Sequence, residues 1–420
     1  MTVVALDDTD SRTAGMCTTY AAHLVAEELR AAGVDVHRTL LVRLNPAVAY
    51  KTRGNAALAV HADVDPGVAL DVAARVVDAH AEVDDDRTNP GVVVAHEADA
   101  PPAVAAFAER ALREDIDPGE AQALAAAHGY ETAGWGSGRG VVGALAAVGA
   151  WTAFDDWTYE SIHYRPRERW GTERSVDAES VFDAADAAYP DAWDTVDRVE
   201  GDLVCVPHTP GPILYGIRGD DPETVRWVAD EIDSEPVHAS ELFVTNQGTD
   251  AHLADAALGD VEDGRAYRVD ATVATDPETR EGGHVFLDVE ADGDRLACVA
   301  FEPTKRFRDR VRLLRPGDRL TVCGEVADGT LKLEKFAVRD LVTTERVTPT
   351  CPDCGTSMES AGADQGYRCR DCDTSAPGKE RRPLDRDLDR GWYEVPPCAR
   401  RHVARPLVRG EWDAPTHPER

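Results

Sequence analysis

The chain has 420 residues and a formal net charge of −33, with 78 acidic against 45 basic residues and only five lysines among the latter. That length exceeds one ordinary core and points to several domains, and acids scattered along the whole chain read as a solvated surface adapted to high salt rather than as the mark of a basic ligand. No apolar run reaches the length of a membrane span and the start lacks a secretory pattern, so a cytoplasmic protein is expected, in which local basic patches must hold any nucleic acid.

The first element is a β-branched strand, Thr2 to Leu6, which runs into Asp7-Asp8-Thr9-Asp10-Ser11 and then Gly15-Met16-Cys17-Thr18-Thr19 before an amphipathic helix. Strand ends of this kind carry chemistry in α/β enzymes. Three carboxylates in one turn repel unless a cation sits among them, and clustered Asp with neighbouring hydroxyls suits a hard divalent ion bound to a polyphosphate. Asp7, Asp8 and Asp10 are therefore candidate magnesium ligands in a nucleotide site. The alternative, a helix cap, needs only one of them. Apolar runs alternate with Ala-rich helical patterns to about Phe154, an α/β or α+β arrangement. Within it, Lys51-Thr52-Arg53-Gly54-Asn55 puts two cations at a turn, either to meet a triphosphate or as an ordinary solvated turn. Gly134-Trp135-Gly136-Ser137-Gly138-Arg139-Gly140 leads into an apolar helix from Val141 to Trp151, its glycines either baring backbone N–H groups for an anion or forming a flexible hinge to a tightly packed helix. Its spacing fits neither the Walker nor the dinucleotide pattern.

The next stretch reads as strand Tyr159 to Tyr164, helix Asp177 to Ala188, strands Leu203 to Pro207 and Pro212 to Arg218, helix Pro222 to Ile232 and strand His238 to Val244. That βαββαβ order is the ferredoxin-like plait. Its first loop carries Arg167 and Trp170, a pair suited to a stacked base or an acceptor phosphate, or else a solvent loop pinned by its Trp, and Asn246 to His252 closes the unit with polar groups that fit a ligand or a domain interface. Five short β-runs between about Gly264 and Val342 fit an OB-fold barrel, with Lys305, Arg306, Phe307 and Arg308 mixing cations and an aromatic between two of them. Cys351-x-x-Cys354 and Cys369-x-x-Cys372, separated by fourteen residues, match a closed four-thiolate zinc ribbon. Arg400, Arg401 and Arg405 then form a basic island in the tail; each such patch, this one and that of the barrel, is either a local salt-bridged surface or an RNA contact, and the set together favours RNA.

These segments, in this order and over essentially the whole chain, resemble the archaeal synthetases that make 2-agmatinylcytidine in the anticodon of an isoleucine tRNA. The resemblance implies an α+β multidomain protein: an ATP-binding kinase-like catalytic domain over 1–156, a ferredoxin-like domain over 157–252, an OB-fold over 262–345, a zinc ribbon over 346–378 and a basic tail over 379–420. It implies that agmatine is joined, with ATP, to the wobble cytidine of a CAU anticodon through a phosphorylated cytidine, so that the tRNA decodes AUA. Asp7, Asp8 and Asp10 would arrange ATP with Mg²⁺, and Thr18 would match the family's autophosphorylated threonine. Lys51, Arg53, Gly54, Asn55, Gly136, Gly138, Arg139 and Gly140 would hold the nucleotide, and Zn²⁺ the ribbon. The partners implied are the tRNA and agmatine, with no stable protein partner. The alternative is a single-stranded RNA- or tRNA-binding protein with a different nucleotide-dependent phosphoryl transfer.

Overall fold

The structure is a computed structural model describing residues 1–51, 54–402 and 404–420, so the expectation for Arg53 lies outside the described residues. The amino-terminal half is built on one nine-stranded sheet: β1 (Thr2–Asp7), β2 (Val36–Arg43), β3 (Ala56–Ala62), β4 (Gly91–Ala95), β5 (Glu131–Gly134), β6 (Thr158–Tyr164), β7 (Ala192–Trp193), β8 (Ile213–Gly219) and β9 (Ala239–Thr245). The spatial order is β5-β4-β1-β3-β2-β9-β6-β8-β7. The helices over it are α1 (Thr18–Ala31), α2 (Pro66–His80), α3 (Pro102–Ala111), α4 (Pro118–Ala127), α5 (Val141–Ala153), α6 (Ala178–Ala188) and α7 (Pro222–Asp230).

Period-two alternation explains the layers. In β1, Val3 and Ala5 join the core under α3 and α5, while Val4 and Leu6 join the core under α1 and α2. β2 and β9 pair in parallel through Leu40 and Val244, so the segments on either side of residue 156 share a single sheet. From β6 onward the elements run β6, α6, β7, β8, α7, β9, with spatial order β9-β6-β8-β7. The strand expected over Leu203 to Pro207 does not form. That segment is a loop in which Cys205 bonds across to Thr195 and Gly216, Pro207 lacks the N–H a ladder needs, and the short β7 pairs with β8 instead.

One ion cluster ties α1 to the middle of the sheet. Arg30 donates twice to Glu241 at 2.9 Å, and Nδ1 of His23 lies 3.0 Å from the same carboxylate. Burial opposes ionisation of Glu241, yet the bonds from Arg30 and His23 overcome it and hold its pKa below the ordinary value. A depressed carboxyl pKa contributes stability above the unfolded-state value and loses it as pH falls through the folded one. Glu241→Gln is therefore expected to cost roughly 1–3 kcal/mol above about pH 5 and to flatten the acid limb of the stability profile. Urea melts from about pH 3 to 7 read both effects. An unchanged acid limb would show that Glu241 carries none of it.

The carboxyl half centres on a closed five-stranded barrel. Arg265–Val273 pairs with Val285–Ala291, which pairs with Asp294–Ala300; this strand runs parallel to Thr330–Asp340, and Arg319–Ala327 closes the ring onto the first. Helix α8 (Arg306–Arg312) plugs it through Phe307 and Val311. Gly391–Glu394 adds to the Thr330–Asp340 edge, and Thr416–His417 pairs beyond it, so the expected tail is woven into this sheet. Among the described residues, no helix is long and apolar enough to cross a membrane.

Candidate active site

The carboxyl end of β1 and the amino ends of α1 and α5 open onto one cavity of about 420 Å³. It gathers Asp7, Asp8, Asp10, Thr18, Lys51, Gly54, Asn55, Arg139 and Gly140 from the sequence expectations; Gly136 and Gly138 do not line it. Asp8 has left-handed backbone at φ 63° and donates its own N–H to Oδ1 of Asp7 at 2.7 Å, so the two carboxyls are held apart on one turn. Burial, then the charge of Asp8, raises the pKa of Asp7 well above the carboxylate range. Burial also pushes Asp8 up to about 6, against the N–H of Asn89. The Thr18 hydroxyl, at the first turn of α1, receives a bond of 3.2 Å from the Thr9 hydroxyl. Arg139 lies over the ring of Tyr50, with its guanidinium carbon 3.5 Å from the ring centre.

The glycine loop acts by close approach rather than as an open cradle of N–H groups. A Cβ on Gly143 would stand 1.9 Å from Oδ2 of Asp7, and one on Gly140 would stand 2.4 Å from the Gly91 nitrogen. The first turn of α5 can therefore lie directly against the acidic turn. The N–H groups of Ser137, Gly138 and Gly140 are already spent on Asn89 and Trp135. This corrects the expectation that Gly138 and Gly140 bare their N–H groups to an anion.

Several cavity residues had no local signal in the sequence. Arg43, at the end of β2, donates from its backbone to Asn246 and from Nε to Gln247, each at 2.7 Å; Arg218 donates to Glu160 at 3.3 Å, and Gln247 donates to the same carboxylate. Burial lowers the Arg43 pKa to about 10. His402 reaches the cavity from the tail, and Arg43, then burial, drives its pKa well below the ordinary value, leaving a neutral imidazole. Of the Asn246–His252 motif, Asn246 and Gln247 brace Arg43, while Asp250 binds Lys335 of the barrel and the backbone N–H of Arg405. Glu160 alone was open to detection, as an acid two residues before Ile162 and so on the same face of the strand.

The expected RNA contacts separate on burial. Trp170 is half-buried against Tyr20, with ring centres 5.4 Å apart, and Arg167 lies over its ring. Phe307 is fully buried in the barrel, so it offers no exposed face for stacking, which corrects that expectation. Lys305 and Arg306 face Glu200, Arg306 also binds Asp197 and Glu419, and Arg308 binds Glu302. Arg400 is buried between Asp194 and Glu394, and Arg401 binds Glu325 and Glu334. Arg405 donates its Nε to the Arg409 carbonyl, 3.0 Å away. The basic island in the tail is thus largely spent on internal acids, a correction to its expected role as an exposed RNA grip.

Cys351, Cys354, Cys369 and Cys372 bring their sulfur atoms within 4.8 Å of one another. Tetrahedral zinc–thiolate bonds of about 2.3 Å put sulfurs about 3.8 Å apart, so the set fits one zinc ion. Cys369→Ser is expected to reduce bound zinc from about one ion per chain to well under half of one, read by elemental analysis of dialysed protein. Stoichiometric zinc in that variant would remove Cys369 from the ligand set.

Comparison with known proteins covers the whole chain. Three family models match, described as the TiaS TCKD domain over residues 3–137, the TiaS FLD domain over 138–252 and the TiaS C-terminal zinc ribbon domain over 348–388. The isoleucine-tRNA 2-agmatinylcytidine synthetase TiaS of Haloquadratum walsbyi is 52% identical with all of both chains covered, and that of Methanosarcina mazei is 45% identical over 97% of each. A crystal structure of TiaS in complex with its isoleucine tRNA and ATP superposes with a TM-score of 0.89 at 40% identity over 100% of this chain and 99% of that one. A complex of TiaS with the same tRNA, AMPCPP and agmatine gives 0.88 at 38%, with the same coverage.

Proposed function

Since the chain belongs to the TiaS family of isoleucine-tRNA 2-agmatinylcytidine synthetases, we propose that the cavity at the end of β1 is where it joins agmatine to the wobble cytidine of that tRNA through a phosphorylated cytidine. The protein is an ATP-dependent tRNA-modifying enzyme whose partners are the isoleucine tRNA and agmatine. The observation that carries the choice of cavity is the meeting of Asp7, Asp8, Asp10, Thr18, Lys51 and Arg139 around one space.

The chemistry follows from the residues. A pyrimidine carbonyl oxygen leaves badly, so phosphorylation of O2 turns it into a leaving group; the primary amine of agmatine then attacks C2, the C–O bond breaks, phosphate departs and the amine proton is lost. Lys51 and Arg139 sit where they can steady phosphate charge, with Gly54 and Asn55 shaping the same wall. The hydroxyl of Thr18 lies in the same cavity and is the candidate for transient phosphorylation. Three crowded carboxyls, two of them raised by burial and mutual charge, fit a hard cation, and Asp7, Asp8 and Asp10 would hold Mg²⁺. When bound, Mg²⁺ would neutralise phosphate charge. The target cytidine must leave the anticodon stack to enter.

The same proposal extends to the finer architecture. The nucleotide domain is kinase-like; the β9-β6-β8-β7 order supports a ferredoxin-like plait, and the ring order of the barrel supports an OB-fold. The domain limits stay those read from the sequence, with the tail joined to the barrel.

The test is a single turnover with γ-labelled ATP and the isoleucine tRNA but no agmatine. Label is expected on the wobble cytidine and on Thr18, and agmatine should chase it from the RNA as phosphate. Label that never reaches the RNA, in protein that still makes the product, would rule out the phosphorylated cytidine.

A further inference from the structure

A second concavity, of about 500 Å³, opens on the opposite face of the same sheet. Alternation within β6 separates the two: Glu160 and Ile162 face the catalytic cavity, while Ser161 and His163 face this groove. Its floor is Ser161, His163, Ser240, Leu242 and Val244. The walls come from Arg38 of β2, whose guanidinium carbon is 3.8 Å from the ring centre of Trp151 in α5, and from Arg226 and Asp230 of α7. Val244 of β9 packs in part against the α5 core and Leu242 in part against the α7 core, while Ser240 is exposed in the groove.

The charge in the groove is unusual for this chain. Arg30 is matched by Glu241 and His37 by Asp63, which leaves Arg38 and Arg226 facing the single carboxylate of Asp230. Among the described residues neither Arg38 nor Arg226 has an ion-pair partner within 4.0 Å, Asp99 acting on Arg38 only from farther away, and the buried Nη1 of Arg38 has no hydrogen-bond partner. His163 is 8% exposed, shares one ring nitrogen with Ser161 and keeps Nδ1 unpartnered. Unsatisfied buried donors at a cavity wall point to a missing acceptor. Beside Arg226 on α7, Trp227 is 42% exposed.

We propose that this groove is a second RNA contact, in which Arg38 and Arg226 take a backbone phosphate of the bound tRNA over the hydroxyl floor, and Trp227 stacks on an adjacent base. The inference rests on the tRNA-modifying function above. Guanidinium forks with serine hydroxyls and an open indole are the chemistry that grips a nucleotide strand. In a chain of net charge −33, such a contact must be local and concave, because the surrounding field repels RNA.

The test uses the full chain and unmodified isoleucine tRNA. Arg38→Gln with Arg226→Gln is expected to weaken tRNA binding about ten-fold and to lower the slope of log K against log salt by about one, for the one phosphate the two cations share. The KM for tRNA should rise by the same factor, with kcat and the KM for ATP unchanged. Trp227→Ala should weaken binding several-fold without altering that slope. The Lys/Lys double variant, which keeps the charge, should recover most of the affinity and so exclude misfolding as the cause. Unchanged affinity and slope in the Gln/Gln variant would overturn the proposal. So would loss of saturable inorganic-phosphate binding with tRNA affinity intact, which would assign the groove to free phosphate. Failure of the wild-type protein to incorporate agmatine would instead count against the function itself, and the tRNA affinities are read independently of it.

Discussion

Asp8→Ala should reduce agmatine incorporation at least about 1,000-fold, equivalent to about 4 kcal/mol of transition-state stabilisation, while the Kd for tRNA changes by less than about two-fold. The asymmetry comes from where Asp8 sits. It is in left-handed backbone at the end of β1, accepts the Asn89 N–H, and faces the cavity with Asp7 and Asp10. None of the cations proposed to grip RNA touches it, so binding survives its loss. Asp8→Asn keeps the shape and the Asn89 bond but removes the charge, and should be nearly as inactive. Turnover within ten-fold of wild type in either variant would take the acidic turn out of phosphoryl transfer, and a parallel loss of tRNA binding would make Asp8 a folding residue.

Lys335→Met is expected to destabilise the protein by roughly 3–5 kcal/mol, the scale for leaving one member of a buried ion pair alone. Lys335 is 1% exposed in the barrel, where it pairs with Asp250, donates to the Arg405 carbonyl at 3.1 Å and lies 4.7 Å from the ring centre of Trp412. Those partners come from the segment after β9 and from the tail, so one ammonium holds three parts of the chain together. Asp250 also accepts the Arg405 N–H at 2.7 Å and would be left as a buried, half-satisfied anion. Adding Asp250→Asn should restore part of the loss, because the stranded charge is gone. Thermal unfolding in molar salt is the right measurement, since salt screens buried pairs far less than surface ones. A loss below about 1 kcal/mol would show that the pair is not what joins the barrel to the sheet.

The same three-way junction explains why sequence reading served some elements and failed others. The Asp7–Asp10 turn was legible because its repulsion is local: three acids within four residues need an external reason. The four cysteines were legible because the spacing of a zinc knuckle is itself the geometry. Phe307 misled because its sequence neighbours are cations, and only the turn of α8 shows that Phe307 and Val311, at i and i+4, point into the barrel while the arginines point out. Arg400 and Arg401 looked like a free basic patch because residues 395–410 carry no acid; Glu394 lies just before that stretch, while Asp194 is 206 residues away and Glu325 and Glu334 belong to the barrel. His402 and Arg43 meet at the cavity from opposite ends of the chain, which no window could reveal. Removing everything after about Val342 would strip Gly391–Glu394 from the barrel and His402 from the cavity, so it cannot cleanly divide RNA binding from phosphoryl chemistry.

Use of ATP to place agmatine on the wobble cytidine is measured most directly by mass spectrometry of the anticodon fragment. The purified protein is incubated, in high salt with Mg²⁺, with ATP, agmatine and unmodified isoleucine tRNA. The expected result is an ATP-dependent gain at the wobble position equal to agmatine minus water, absent with Asp8→Ala. ATP consumption and tRNA binding without any gain at that cytidine would contradict it.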